Sequence, residues 1–146
     1  MKKFQIKRVE ISYLKRIQEI IYSCLEIAKK FNEKEFLKKK YSLRNLEKYS
    51  GNSDFFAVFL NKKIIASGRL TKKNEIATIY VDPKFHGKGA GRFIVNFLFE
   101  LAKKKKRRVV FVRSLLQSIG FYEKLGFEER KLLVRPVRAI RMERKS

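Results

Sequence analysis

Ile76-Ala-Thr-Ile-Tyr-Val-Asp-Pro-Lys-Phe-His-Gly-Lys-Gly-Ala-Gly-Arg92 decides the fold. Residues 76–81 are β-branched, aromatic or small and read as a buried strand. Asp82-Pro83 ends it, because proline has no N–H for a ladder and restricts the residue before it. Gly87, Gly89 and Gly91 then alternate with Lys88, Ala90 and Arg92. Ile94, Phe97, Leu98, Leu101 and Ala102 follow at helical spacing. The order is strand, tight glycine turn, helix, and that order suits an anion. Glycines let backbone approach a ligand closely, and the free N–H groups of a helix start converge with the positive end of its dipole. Lys88 and Arg92 add charge, so a phosphate or diphosphate is the expected guest. The loop lacks the Gly-Lys-Ser/Thr ending of an ATP loop, and Gly-x-Gly-x-Gly is not the dinucleotide fingerprint. Spacing alone leaves a plain flexible turn open.

Upstream, Phe55–Leu60 and Ile64–Leu70 read as a hairpin about Asn61-Lys62-Lys63, and Thr71–Asn74 turns into the central strand from Glu75. Phe4–Ile11 reads as a first strand and Ser12 as a helix N-cap. Leu14, Ile17, Ile21, Cys24, Leu25 and Ala28 form one apolar helical stripe, which makes Cys24 a buried, inert thiol. Glu33–Tyr49 reads as a shorter helical region broken near Ser42, and Ser50–Asp54 as a turn cluster. Downstream, Lys103-Lys-Lys-Lys-Arg-Arg108 ends the central helix, where cations face the negative end of the dipole. A nucleic-acid contact is the alternative for that run, although no aromatics are interleaved for base stacking. Val109–Val112 is a short strand, Leu115–Leu125 a helix closed by Gly126, and Glu128–Val134 and Arg138–Arg144 a last strand pair separated at Pro136.

The chain has 146 residues, 45% of them hydrophobic, enough for one globular domain spanning 1–146. It contains no apolar run of membrane-spanning length and no signal-like start, so no membrane partner and a cytoplasmic location are expected. The one cysteine cannot pair internally, and no metal-ligand cluster is present, so no metal is expected. Lys and Arg number 37 against 14 Asp and Glu, a net charge of +23. Such a field attracts polyanions: a phosphate-bearing cofactor, RNA, ribosomes or acidic proteins. A basic surface that serves only solubility is the plainer reading.

Val81-Asp-Pro-Lys-Phe-His-Gly-Lys-Gly-Ala-Gly-Arg92 closely resembles the acetyl-CoA-binding motif of GCN5-related N-acetyltransferases, the GNAT superfamily. His86 stands where that motif usually carries Gln or Arg. Gly120-Phe-Tyr-Glu-Lys-Leu-Gly-Phe127 resembles the family's second signature, Tyr-Glu-x-x-Gly-Phe. The resemblance implies an α+β fold, an α/β/α sandwich with a mixed, mostly antiparallel sheet of six to seven strands and about four helices, splayed at the central strands. It implies acetyl-CoA as co-substrate, with Ile79, Tyr80 and Val81 against its pantetheine arm. The amides of Gly87, Lys88, Gly89, Ala90, Gly91 and Arg92 would surround the diphosphate. His86 would contact the anion or cap the loop.

The implied reaction is direct attack of a neutral amine on the thioester. Tyr122 matches the family tyrosine that protonates the leaving thiolate, and a phenol, with a pKa of about 10, is near a thiol in acidity. Glu75 is the candidate base, with a water relay as the alternative. The family's usual asparagine before the tyrosine is missing; Ser114 or Ser118 could contact CoA instead. The acceptor would be a protein N-terminus or another primary amine. A tRNA- or ribosome-associated acetyltransferase and a non-catalytic acyl-CoA- or nucleic-acid-binding module are the other readings. Monomer and homodimer are both compatible with the sequence.

Overall fold

The computed structural model describes residues 3–26, 31–133 and 139–146. The expected hairpin anchors its first sheet. β2 (Ser53–Leu60) and β3 (Lys63–Thr71) pair antiparallel. Asn61 and Lys62 between them have φ of 50° and 66°, the paired left-handed conformation that a tight hairpin turn requires. β1 (Gln5–Arg8) lies on the outer edge of β2, and β4 (Ile76–Val81) flanks β3, giving the order β1-β2-β3-β4. A second antiparallel sheet holds β5 (Val109–Leu115), β6 (Glu128–Leu133) and β7 (Ala139–Lys145) in the order β5-β7-β6.

The sheets meet at one point. Glu75 and Phe111 form a lone parallel bridge, and the Phe111 N–H donates to the Asn74 carbonyl over 3.0 Å. Beyond it β4 and β5 part, so the expected splay is present, with seven strands among the described residues.

Strand alternation divides the core into two layers. Phe56 and Val58 of β2 pack with α4 (Ala90–Lys104) and α5 (Ile119–Lys124), while Phe55 and Ala57 pack with α1 (Leu14–Glu26), α2 (Phe31–Lys40) and α3 (Leu43–Asn52). Ile94, Val95 and Leu98 on α4 and Ile17, Ile20 and Ile21 on α1 are fully buried. Each contributes about 1.5–3 kcal/mol by leaving water. No described helix is long and apolar enough to cross a membrane.

Several sequence expectations shift. Ser12 lies in a 3₁₀ turn (Ile11–Tyr13) and does not cap α1, which begins at Leu14. The region around Ser42 does divide, which raises the helix number to five among the described residues. Ser42 Oγ accepts the Asn45 N–H at 3.2 Å and caps α3. The Ser50–Asp54 turn cluster is instead the end of α3 and the start of β2. Its hydroxyls explain the change: Ser50 Oγ donates to the Glu47 carbonyl and Ser53 Oγ to that of Tyr49, satisfying helix-end acceptors. β5 runs on to Leu115, so the following helix starts later, after a 3₁₀ turn at Leu116–Ser118. Ala28 and the Pro136 turn fall outside the described residues.

Candidate active site

The central feature is the edge of β4 that faces away from β3. Among the described residues it pairs only at Glu75, so from Ile76 to Val81 it presents backbone without a strand partner. On its other edge the ladder carries a bulge. Ser67 pairs with Tyr80 and Arg69 with Ala77, so Thr78 and Ile79 together stand opposite Gly68. Gly68 makes this possible: a Cβ there would lie 2.6 Å from Ile79 Cδ1 and 2.7 Å from Ile94 Cγ1.

Thr78 carries the strain of the bulge. Its φ is 59°, a conformation that costs a β-branched residue about 1–3 kcal/mol. Two β3 side chains hold it: the Ser67 hydroxyl donates to the Thr78 carbonyl at 2.9 Å, and Arg69 Nε donates to Thr78 Oγ1 at 2.8 Å. Arg69 is itself buried, with its guanidinium 4.0 Å from the centroid of the Tyr49 ring. Nothing in the sequence signals this clamp, because threonine favours extended backbone.

The bulge sorts the side chains of β4. Ile79 and Val81 pack toward α4, whereas Tyr80 turns the other way and meets Tyr41 edge-on at 5.4 Å. Burial, with Tyr41 beside it, pushes the Tyr80 phenol well up. The Val81 carbonyl accepts from Cys24 Sγ at 3.1 Å and from His86 Nε2 at 2.8 Å. A carbonyl can only accept, so Nε2 of His86 carries the proton. Burial raises the Cys24 thiol to about 11, with backbone hydrogen bonding at Val81 lowering it and the nearby Asp82 charge raising it, so the thiolate is scarce near neutrality.

Asp82 fixes the start of the loop. Its carboxylate accepts from Arg16 Nη2 at 2.6 Å and from the Lys84 N–H at 3.0 Å. Burial opposes its charge, but those two donors outweigh burial and hold the carboxyl below the usual range. Gly87 and Gly89 adopt φ of 75° and 89°, the left-handed region, and Gly89 caps α4. Gly91 serves another purpose: a Cβ there would meet Phe121 of α5 at 3.2 Å. The N–H groups from Gly87 to Arg92 have no acceptor among the described residues. Lys88 and Arg92 stand exposed beside them. A cleft of about 390 Å³ continues from Arg92 past Asn96 to Lys124, Gly126 and Arg144.

Tyr122 lies on α5 at 8% exposure, its ring between Phe121 and Phe127 at centroid distances of 5.0 and 5.7 Å. Its hydroxyl has no hydrogen-bond partner among the described residues. No fully buried side-chain oxygen among them lacks one, so this hydroxyl keeps an open side. Burial chiefly, then the proximity of Tyr41 and Glu75, raises its pKa strongly. Glu75 stands where the sheets diverge, its side chain 15% exposed and 3.4 Å from Arg113 Nε. Its carboxylate is thus mostly covered and paired. Ser118 precedes α5 without a capping bond, and Ser114 is buried, its hydroxyl donating to the Leu115 carbonyl at 2.8 Å.

A model of the acetyltransferase (GNAT) family matches residues 17–127. The chain belongs to that family. An uncharacterized N-acetyltransferase of Methanocaldococcus jannaschii is 42% identical over 62 residues, which are 40% of this chain and 27% of that protein. The chain thus spans about a quarter of that relative's length. Two solved GNAT structures share the fold across almost the whole chain. The PaiA N-acetyltransferase of Thermoplasma acidophilum in complex with coenzyme A has a TM-score of 0.84 at 19% identity, covering 99% of each chain. The ribosomal-protein-S18-alanine N-acetyltransferase of Escherichia coli has a TM-score of 0.73 at 21% identity, covering 98% of this chain and 94% of that one.

Proposed function

We propose that this GNAT domain transfers an acetyl group from acetyl-CoA to a primary amine, and that the acceptor is a protein N-terminus. One observation carries the reading: a bulged strand whose outer edge has no strand partner among the described residues leads directly into six amides without acceptors among them. The edge of Ile79, Tyr80 and Val81, with the Val81 carbonyl already engaged, suits the amides of pantetheine, which can pair with its remaining backbone groups as a further strand does. The amides of Gly87 to Arg92 suit the diphosphate. The cleft lined by Arg92, Lys124 and Arg144 suits the remaining phosphate at the adenosine end. His86 keeps the Val81 carbonyl occupied, and so acts as a loop cap rather than a base.

In the reaction the amine nitrogen bonds to the acetyl carbon as the carbon–sulfur bond breaks. The nitrogen loses a proton to Glu75, directly or through water, and the departing sulfur takes one from the Tyr122 hydroxyl. The raised pKa of Tyr122 suits a donor, because the phenol stays protonated until the thiolate forms. The Glu75 carboxylate also attracts an incoming ammonium. The E. coli structural relative is named as an N-acetyltransferase of a ribosomal-protein alanine, which supports an acceptor amine on a protein.

The test is thiol release from acetyl-CoA in the presence of peptides with free or blocked N-termini. Release that requires the free α-amine supports the proposal. Release with small polyamines but never with peptides refutes the acceptor class.

A further inference from the structure

A cluster of cations lies at the C-terminal end of α4, away from the glycine loop at its start. α4 runs 15 residues from Gly89 to its C-terminus, about 22 Å at 1.5 Å per residue. There the run Lys103–Arg108 meets two other segments, Lys72-Lys73 after β3 and Arg8 at the end of β1. Contacts bind them together. Arg107 Nη1 donates to the Thr71 carbonyl at 2.8 Å, and Asp54 pairs with both Arg8, at 3.0 Å, and Lys105, at 2.8 Å. Between them lies a cleft of about 330 Å³, which the Ser50, Asn52 and Ser53 side chains also line.

The charges here do not cancel. Asp54 is the one carboxylate lining the cleft, against Arg8, Lys72, Lys105 and Arg107. Lys72, Lys73, Lys103, Lys104, Lys106 and Arg108 are exposed around it. Dipole capping accounts for the cations of one helix end, but not for Arg8, at the end of β1, or Lys72 and Lys73, in the turn after β3. The described large apolar side chains that stand exposed are Ile11, Phe36, Leu43, Leu116, Phe121 and Leu132, none of them in the cleft or the two lysine runs. A surface without apolar anchors is poorly made for a lipid bilayer. Flexible point charges beside Asn52 suit phosphates, and the lack of exposed aromatics on this face favours backbone over base contact.

We infer that this face, formed by Arg8, Lys72-Lys73 and Lys103–Arg108, binds the phosphate backbone of a duplex RNA, independently of the acetyl-CoA site.

The experiment is fluorescence anisotropy with a labelled 20-base-pair RNA duplex and the full chain, across a salt series. Lys72→Ala/Lys73→Ala/Lys104→Ala is compared with Lys15→Ala/Lys48→Ala/Lys131→Ala, which removes equal charge from other exposed positions. The face variant is expected to weaken binding on the order of tenfold at low salt and to flatten the salt slope by about 2–3. The control is expected to change neither by more than about twofold. Acetyl-CoA should not compete, and both variants should bind it like the parent chain. Any of four results overturns the proposal: equal losses in both variants, displacement of RNA by acetyl-CoA, no duplex binding at low salt, or equal affinity for polyglutamate or anionic vesicles.

Discussion

Replacing Tyr122 by phenylalanine tests the chemistry most sharply, because the structure separates its two possible roles. The ring is buried between Phe121 and Phe127, and phenylalanine keeps that packing. The hydroxyl has no partner among the described residues. Its removal therefore breaks no internal hydrogen bond, and the stability change should stay under about 1 kcal/mol. For a chain of this size that is a shift in Tm of about 2–4 °C at most. A lost proton donor, by contrast, should lower kcat on the order of 10²-fold, about 2.7 kcal/mol of barrier, with KM for acetyl-CoA nearly unchanged. The assay is thiol release with a peptide acceptor, beside thermal unfolding of both proteins. The raised pKa of Tyr122 adds a sign: the donor stays protonated well above pH 7, so it contributes no loss of kcat between neutrality and about pH 10. Unchanged kcat in Tyr122→Phe would refute the donor role, and a Tm drop of many degrees would assign the hydroxyl to structure.

Gly68→Ala places a methyl against Ile79 and Ile94, and should destabilise by about 1–3 kcal/mol while weakening acetyl-CoA binding, as calorimetry and unfolding can check together. Arg69→Met removes one of the two groups that hold Thr78; acetyl-CoA binding should weaken more than Tm falls, and equal binding would deny the clamp its role. Asp82→Asn should cost about 1–3 kcal/mol at pH 7. Because the folded carboxyl titrates below its ordinary value, that contribution is present above the carboxylate range and lost as pH falls through it, so the two proteins should converge in strong acid. Cys24 should resist alkylation at pH 8 in the folded protein. Its folded pKa of about 11 exceeds the ordinary value of 9.0, so its contribution to stability holds below pH 9 and fades between 9 and 11, which alkaline unfolding of Cys24→Ala can test.

The parts that sequence foretold are those set by local chemistry. The β4–loop–α4 order follows from β-branched residues, Asp82-Pro83 and left-handed glycines, and the hairpin from Asn61-Lys62. The missed parts depend on distant partners. Thr78 is driven out of extended backbone by an extra residue opposite Gly68 and kept there by Ser67 and Arg69, eleven and nine residues upstream. Glu75 is a candidate base by resemblance, but nothing near it in sequence shows that Arg113, 38 positions on, pairs with its carboxylate at the divergence of the sheets. Ser50-Gly-Asn-Ser resembles a turn, yet the buried Leu46 and half-buried Tyr49 extend α3 through it. Gly91 reads as one more loop glycine, and the structure adds its close approach to Phe121.

The most direct test of the account is calorimetric titration of the chain with acetyl-CoA, repeated with dephospho-CoA and with Gly89→Glu. Gly89 holds φ of 89° at the amide cluster, where glutamate adds both backbone strain and a repelling charge. The account predicts one site with Kd on the order of micromolar, weaker for dephospho-CoA and lost in the variant. An absence of acetyl-CoA binding by the parent chain, or binding that Gly89→Glu leaves intact, would contradict it.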